Sequence, residues 1–125
     1  MLMIARVLEC DREQVRCTSC IEADNPLLVN GLFPSYGTIE LLAQAAGILL
    51  GVREGLEGHT RPGAIAQIKR FSTTGQDISV GSQLEIEANY SGGNATVAMF
   101  TGRVILEHQS LLNASLMIAL LPEVG

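Results

Sequence analysis

The sequence lacks tryptophan and contains few other aromatic side chains. Two Tyr and three Phe make up just 4% of its 125 residues. Single-stranded nucleic acids are bound largely by stacking of bases on aromatic rings. The net charge of −5 also predicts no basic surface for a phosphate backbone or an anionic bilayer. The composition therefore argues against partners of either kind, nucleic acid or membrane.

Signals for secretion and membrane insertion are lacking as well. Arg6 interrupts the apolar N-terminal run, which has neither the basic start nor the cleavage site of a signal peptide. The longest strongly apolar segment, residues 41–51, is too short to span a bilayer. Three cysteines, an odd number, favour reduced thiols. We expect a cytoplasmic protein whose residues 1–125 form one domain.

A C-x-x-C pair, Cys17 and Cys20, suggests metal binding or redox chemistry. A zinc site needs two further ligands, and neither Cys10 nor the two histidines, His59 and His108, stand at a suitable spacing. In a strand, residues three apart point to opposite faces of the sheet. We therefore expect ordinary thiols and no metal site.

Apolar periodicity predicts one long helix. It begins between Ser35 and Gly37 and runs to about Gly58, a length of roughly 30 Å at 1.5 Å per residue. Its first half is apolar on nearly every face, which is typical of a buried helix. Polar residues with Gly55 and Gly58 favour an end there.

Strands are predicted on both sides of this helix. Two short ones precede it and four long ones follow it, at residues 3–10, 15–23, 63–72, 82–91, 94–109 and 110–121. Alternation in the fourth predicts one apolar face, carrying Leu84, Ile86 and Ala88. Gly92-Gly93 and the polar residues near 108–110 are interpreted as hairpin connections. The expected fold class is α+β: a curved, mostly antiparallel sheet of about six strands around one central helix.

Glu40 is an isolated carboxylate near the front of this apolar helix. The helix dipole favours an acid in the first turn by about 0.3 to 1 kcal/mol. A capping box does not explain it, because position 37 is Gly. Burial among Leu and Ile would favour the protonated form, which general-acid chemistry needs. The residues alone support a structural and a catalytic interpretation about equally.

The segment LFPSYGTIELLAQAAGILLG resembles the central-helix motif of the hot-dog-fold 3-hydroxyacyl-(acyl-carrier-protein) dehydratases. In that family a Phe-Pro-Gly turn leads into a helix with Glu, then Ala-Gln and a Gly. The Phe33-Pro34 pair matches the turn, and Glu40 falls on the catalytic carboxylate. Residues 65–88 are similar to the family's next strands. The resemblance covers nearly the whole chain and is closest to divergent members of the polyene and polyketide type.

This resemblance implies a hot-dog fold and elimination of water from 3-hydroxyacyl thioesters, in fatty-acid or polyketide/polyene-type biosynthesis, without a cofactor. The family pairs its Glu with a His across a dimer interface. The His position falls on Pro26 or Leu32, depending on the alignment. Asp24 as a base and Asn25 as a group that orients water are the best substitutes. Ordinary turn formation before Pro26 is the alternative for both.

The start of the helix is the expected substrate-binding region. Free N–H groups at Tyr36, Gly37 and Thr38 would stabilise negative charge on a thioester oxygen. Gly37 would admit the substrate close to the backbone, although a tightly packed strand would also explain Gly37 and is the preferred reason for Gly47. Tyr36 is also a possible proton donor. Gln44, one turn after Glu40, can orient that carboxylate or contact substrate; a core amide is the alternative.

The expected substrate is a thioester of an acyl carrier protein or of coenzyme A. Four basic residues are candidates to receive an acidic carrier or a phosphate, and each is equally explained as a solvated surface charge: Arg53, Arg61, Lys69 and Arg70. An open sheet edge implies a dimer, either a homodimer or a heterodimer with a complete dehydratase. Two alternatives to a dehydratase stay open, a thioesterase on the same fold and a non-catalytic subunit.

Overall fold

The computed structural model of the chain describes residues 3–53 and 63–120, without the side chains of residues 63–66 and 70. Three strands precede one helix, and five strands follow it. The elements are β1 (Arg6–Cys10), β2 (Gln14–Cys20), β3 (Leu32–Phe33), α1 (Gly37–Arg53), β4 (Gly63–Thr73), β5 (Ile78–Ser79), β6 (Gln83–Gly93), β7 (Val97–Leu106) and β8 (Gln109–Leu120).

Six strands form one antiparallel sheet in the order β1-β2-β6-β7-β8-β4. All six predicted strands are present, and the α+β class with one helix against an antiparallel sheet is confirmed. β1 and β4 are the two edges of this sheet. β3 and β5 pair with each other outside it. They were not predicted, because a strand of two residues is too short to show an alternating pattern.

The core lies between α1 and the face of the sheet that it crosses. Leu84, Ile86 and Ala88 of β6 are completely buried, as their alternation predicted. On the helix, buried residues recur along one side: Leu41, Leu42, Ala45, Ala46, Leu49 and Leu50. Full burial of one such leucine is worth about 1.5 to 3 kcal/mol. These contacts fix the position of α1 on the sheet.

The opposite side of α1 remains accessible in the single chain. Two residues of this side are exposed, Glu40 and Val52. Five more are partly exposed: Ile39, Ala43, Gln44, Gly47 and Ile48. The prediction of a helix buried on nearly every face is therefore wrong. One sheet covers one side of a helix, so the apolar residues of the other side are left without a partner from the sheet. We call this side the open face of α1.

Two hairpin turns differ from their predicted places. Glu107 and His108 form the two-residue turn between β7 and β8, and both have positive φ, 49° and 66°, as a type I′ turn requires. Gly92 and Gly93 lie within β6 rather than in the connection. The turn after them is held instead by Asn94, whose Oδ1 accepts hydrogen bonds from the N–H groups two and three residues on.

The observed start of α1 at Gly37 agrees with the sequence. Its predicted end near Gly58 lies outside the described residues. None of the helical stretches that the structure describes is long and apolar enough to cross a membrane.

Candidate active site

Glu40 lies in the first turn of α1 on the open face. Its side chain is exposed in the single chain, so the core burial considered from the sequence does not occur. Gln44 lies one turn later on the same side, and its Nε2 donates a hydrogen bond to Glu40 Oε1 at 3.3 Å. This spacing of four residues brings side chains together on a helix. The expected Glu40–Gln44 pair is therefore present as a contact.

An apolar groove of about 330 Å³ lies between the start of α1 and the edge strand β4, and Glu40 itself is not among the residues that line it. Ile39, the residue before Glu40, lies on one wall, and Ile68 and Phe71 of β4 lie on the other. Tyr36 and Phe71 are 69% and 58% exposed. Such a groove suits an aliphatic chain, because its lining offers mainly apolar contact.

Two of the three N–H groups at the helix start, those of Gly37 and Thr38, are not free as predicted. The Gly37 N–H donates to Pro34 O at 2.9 Å, and the Thr38 N–H donates to Ser35 O at 3.2 Å. The Thr38 hydroxyl also donates to Ser35 O, at 2.6 Å. The chain enters α1 through a tight turn, whose carbonyls use the donors that an open helix terminus would leave available. The turn itself is fixed from outside, because the Ser35 N–H donates to Asp77 Oδ1 at 3.2 Å.

Glycine at position 37 is explained by packing against an aromatic ring. A Cβ there would lie 2.6 Å from the ring of Phe33, so that ring occupies the space that was expected to admit substrate. Gly47 is the reverse case. A Cβ at Gly47 would meet nothing within 4 Å, so the predicted tight packing of a strand at this position is wrong. Gly47 lies on the open face of α1, where the sheet does not reach.

The two loop residues proposed to replace the family's His differ in their surroundings. Asp24 is exposed. Asn25 is 7% exposed, and its Oδ1 accepts a hydrogen bond from the Leu27 N–H at 2.8 Å. Its Nδ2 donates to the sulfur of Met3 at 3.4 Å. Leu32, at one of the two aligned His positions, lies in β3 and is 40% exposed.

Met3 belongs to this site although sequence reasoning did not identify it. Its N–H donates to Gln44 Oε1 at 2.7 Å, so the structure joins Asn25, Met3, Gln44 and Glu40 through successive contacts. The contact with Gln44 uses the backbone of Met3. Hydrophobic periodicity and motif matching carry no signal for such a bond.

The basic residues expected to receive an acidic carrier or a phosphate differ in whether they already have partners within the chain. The guanidinium of Arg53 lies 3.4 Å from the centre of the Tyr90 ring and forms an ion pair with Glu13 at 3.2 Å, so Arg53 is engaged within the chain. Lys69 is exposed on the edge strand β4. Arg61 and the side chain of Arg70 lie outside the described residues.

The cysteines have the surroundings of ordinary thiols. Cys17 is fully buried in β2, and burial, with a smaller contribution from Cys10, raises its pKa to about 11. Cys20 is partly exposed. Within residues 3–53 and 63–120, no three His, Cys, Asp or Glu side chains are grouped so that they could hold a metal ion.

Comparison with known proteins relates this arrangement to one family. The model of the ApeP-like family, described as ApeP dehydratase, matches residues 1–123. No curated protein matches the chain.

Several solved structures share the fold. The chain is similar to the dehydratase heterocomplex ApeI:P from Xenorhabdus doucetiae, with a TM-score of 0.86 at 20% identity over 98% of this chain and 84% of that one. It is also similar to a hypothetical thioesterase with coenzyme A from Streptococcus pneumoniae (TM-score 0.72, 11% identity, 96% and 88% covered). A Streptococcus mutans protein bound to acetyl coenzyme A gives a TM-score of 0.71 at 13% identity, with 96% and 90% covered. The expected hot-dog fold is thus confirmed.

Proposed function

Because the chain belongs to the ApeP-like dehydratase family, we propose that it acts on 3-hydroxyacyl thioesters of an acyl carrier protein. The reaction removes water and leaves the 2-enoyl thioester, in fatty-acid or polyene-type biosynthesis. The observation that carries this proposal is the position of Glu40. It lies on the open face of α1, directly after Ile39, which lines an apolar groove that fits an acyl chain, and it accepts a hydrogen bond from Gln44.

In the proposed mechanism, Glu40 acts as a general acid. It donates its proton to the β-hydroxyl, which leaves as water. A base removes the proton on the α-carbon, and the electron pair of that C–H bond forms the new double bond. Asp24 is the carboxylate that this chain offers for the base role, and its exposure leaves it accessible to substrate. Asn25 is nearly buried and engaged by Leu27 and Met3, which favours support of the site over the orienting of water.

The substrate is proposed to enter along the apolar groove. The acyl chain would lie between Ile39 and Phe71, with Tyr36 at the entrance. Gly37 and Thr38 are buried and their N–H groups donate within the turn, so the start of the helix would act on the thioester through its dipole alone. Lys69, exposed on the neighbouring strand, is the basic residue available for an acidic carrier or for the phosphate of coenzyme A.

The active unit is proposed to be a dimer whose second subunit covers the open face of α1 and the β4 edge. A heterodimer with a complete dehydratase is favoured because Leu32 stands at an aligned His position and cannot act as a base. The resemblance to the ApeI:P heterocomplex supports the same pairing. In a homodimer, Asp24 would have to act as the base in both active sites.

The test is intact-mass analysis of 3-hydroxyacyl carrier proteins incubated with the purified chain, alone and with a complete dehydratase from the same cell. The proposal predicts loss of one water from the acyl group with the wild type and no such loss with Glu40→Gln. When the complete dehydratase is present, its own helix carboxylate is replaced as well, so that the remaining activity belongs to this chain. Equal activity of the wild type and Glu40→Gln would contradict the proposal, and release of free acid would make the protein a thioesterase.

A non-catalytic subunit is the second candidate, and the specific observation in its favour is the apolar Leu32 at the His position. It predicts that Glu40→Gln changes no turnover in any combination. It also predicts that removal of the whole chain lowers the activity or stability of the partner dehydratase.

A further inference from the structure

We propose that residues 3–5 form a positioning arm, in which the backbone N–H of Met3 sets the orientation of the Gln44 amide and thereby holds the Glu40 carboxylate. This proposal rests on the proposed function of Glu40. Two hydrogen bonds in series carry it: the Met3 N–H donates to Gln44 Oε1 at 2.7 Å, and Gln44 Nε2 donates to Glu40 Oε1 at 3.3 Å.

The direction of the Gln44 amide follows from the chemistry of its partners. A backbone N–H can only donate, so the end of the amide that meets Met3 must be the oxygen. The NH₂ end is then turned toward Glu40, whose Oε1 accepts a hydrogen bond from it. Since the bond to Met3 is shorter than the bond to Glu40 by 0.6 Å (3.3 against 2.7 Å), Met3 is the stronger determinant of this orientation.

Met3 is itself fixed at several atoms. Its carbonyl accepts a hydrogen bond of 2.6 Å from the hydroxyl of Ser19, which is completely buried. Its sulfur accepts the contact from Asn25 at 3.4 Å. Two residues on, the Ala5 N–H donates to Thr18 O at 2.8 Å. The arm is therefore attached to β2 and to the loop after it, and its Met3 N–H is presented to Gln44 from a rigid base.

Loss of the Met3 N–H would remove the shorter of the two hydrogen bonds that set the direction of the amide. The Gln44 amide could then turn over and direct its oxygen at the Glu40 carboxylate, where two acceptors repel each other, or swing away from it. A hydrogen bond of this kind corresponds to about a three- to tenfold effect. Because positioning of reacting groups acts mainly on the chemical step, we expect the loss in kcat rather than in KM.

The sharpest variant deletes this one donor. Cys10 allows synthetic residues 1–9 to be ligated to recombinant residues 10–125, which gives the full chain after refolding. Replacing the Met3 amide by an ester removes the N–H and keeps the side chain and carbonyl. The matched control is an ester at Ala5, which removes a backbone hydrogen bond of similar length, to Thr18 O, and leaves the Met3 N–H in place.

The expected result is a three- to tenfold lower kcat for the Met3 ester with KM unchanged, while the Ala5 ester keeps the kcat of the wild type. Both esters should lower the melting temperature to a similar extent, because each loses one backbone hydrogen bond. Equal kcat values for the two esters would overturn the proposal, since the effect would then be one of stability alone.

A second measurement does not depend on activity. ¹⁵N relaxation of the Gln44 side-chain amide should show a rigid group in the wild type and a more mobile one in the Met3 ester. The side chain of the exposed Gln76 is the reference for a mobile amide. If the Gln44 amide of the wild type is as mobile as its Gln76 amide, the proposal that Met3 orients Gln44 is wrong, whether or not the Met3 ester refolds. If the Gln44 amide is rigid but the protein eliminates no water, the positioning by Met3 is supported and the proposed function is wrong.

Discussion

The carboxylate of Glu40 projects from the first turn of α1 on the side that the sheet leaves open, and an amide one turn later donates a hydrogen bond to it. Water surrounds the exposed side chain in the single chain, so the helix dipole is partly screened. Residues 3–53 and 63–120 provide no ion pair for it among those observed. The charge of Glu40 therefore contributes little to the stability of the fold.

Glu40→Gln should accordingly leave the free energy of unfolding within about 0.5 kcal/mol of the wild type, as expected for an exposed helix position. Urea unfolding monitored by circular dichroism measures this. As a contrasting variant, Leu42→Ala removes a completely buried side chain of the same helix and should cost about 2 to 5 kcal/mol. A large loss in Glu40→Gln would show that the carboxylate is structural.

Cys17 gives a prediction for alkaline pH. Burial raises the pKa of its thiol from 9.0 to about 11, so the unfolded chain releases this proton at lower pH than the folded chain. The resulting contribution to stability is intact below about pH 9 and is lost as the pH rises toward 11. The urea midpoint should fall over this interval, and the fall should be smaller in Cys17→Ala. If the urea midpoint falls as much in Cys17→Ala as in the wild type, the loss of stability at alkaline pH comes from other groups.

At the scale of elements, the entry into α1 is built from a turn, an aromatic ring and a glycine. The turn uses the N–H groups of Gly37 and Thr38, and the Phe33 ring fills the space beside Gly37. On the open face of the same helix, Gly47 has free space around it. A side chain at position 37 would therefore overlap its neighbour, whereas a side chain at position 47 would not.

Gly37→Ala should destabilise the chain by about 1 to 3 kcal/mol, because the new methyl group would overlap the Phe33 ring. Gly47→Ala is the control in the same helix. It should stabilise the isolated chain by up to about 1 kcal/mol, since alanine favours the helix and meets nothing there. Thermal unfolding measures both, and a destabilising Gly47→Ala would contradict the open space at that position.

The sequence predicted the helix start, the six strands of the main sheet and the Glu40–Gln44 pair, because periodicity and a family motif report on such local patterns. It did not predict which side of α1 the sheet would cover, since an apolar helix shows no preferred face. Nor could it predict the occupied N–H groups of Gly37 and Thr38 or the bond from Met3. Those depend on how distant backbone segments meet, which side-chain patterns do not encode.

At the scale of the whole molecule, the two edges of the sheet differ. β4 borders the apolar groove and carries the exposed Ile68 and Phe71, whereas β1 exposes Val7 and Leu8 at the opposite edge. Ile39 of the open face of α1 also lines this groove. The proposed partner subunit would cover the β4 edge and this face together.

Phe71→Asp should therefore weaken association with the partner, or with a second copy, by at least about tenfold, the effect expected of a central aromatic contact. Val7→Asp is the matched control at the other edge, because Val7 is similarly accessible at 44% exposure. Native mass spectrometry across a dilution series measures the association. Equal weakening by both variants, or by Val7→Asp alone, would place the interface elsewhere.

If Glu40 catalyses water transfer at an acyl thioester, as we propose, it should also be required for the reverse reaction, which can be followed in D₂O. The purified chain, with its partner subunit inactivated at the helix carboxylate, is incubated with a 2-enoyl carrier protein. We expect a 3-hydroxyacyl product with one carbon-bound deuterium at the α-position, and we expect none with Glu40→Gln. If deuterated product forms equally with Glu40→Gln, or if the wild type yields none, Glu40 is not the catalytic acid of a dehydratase.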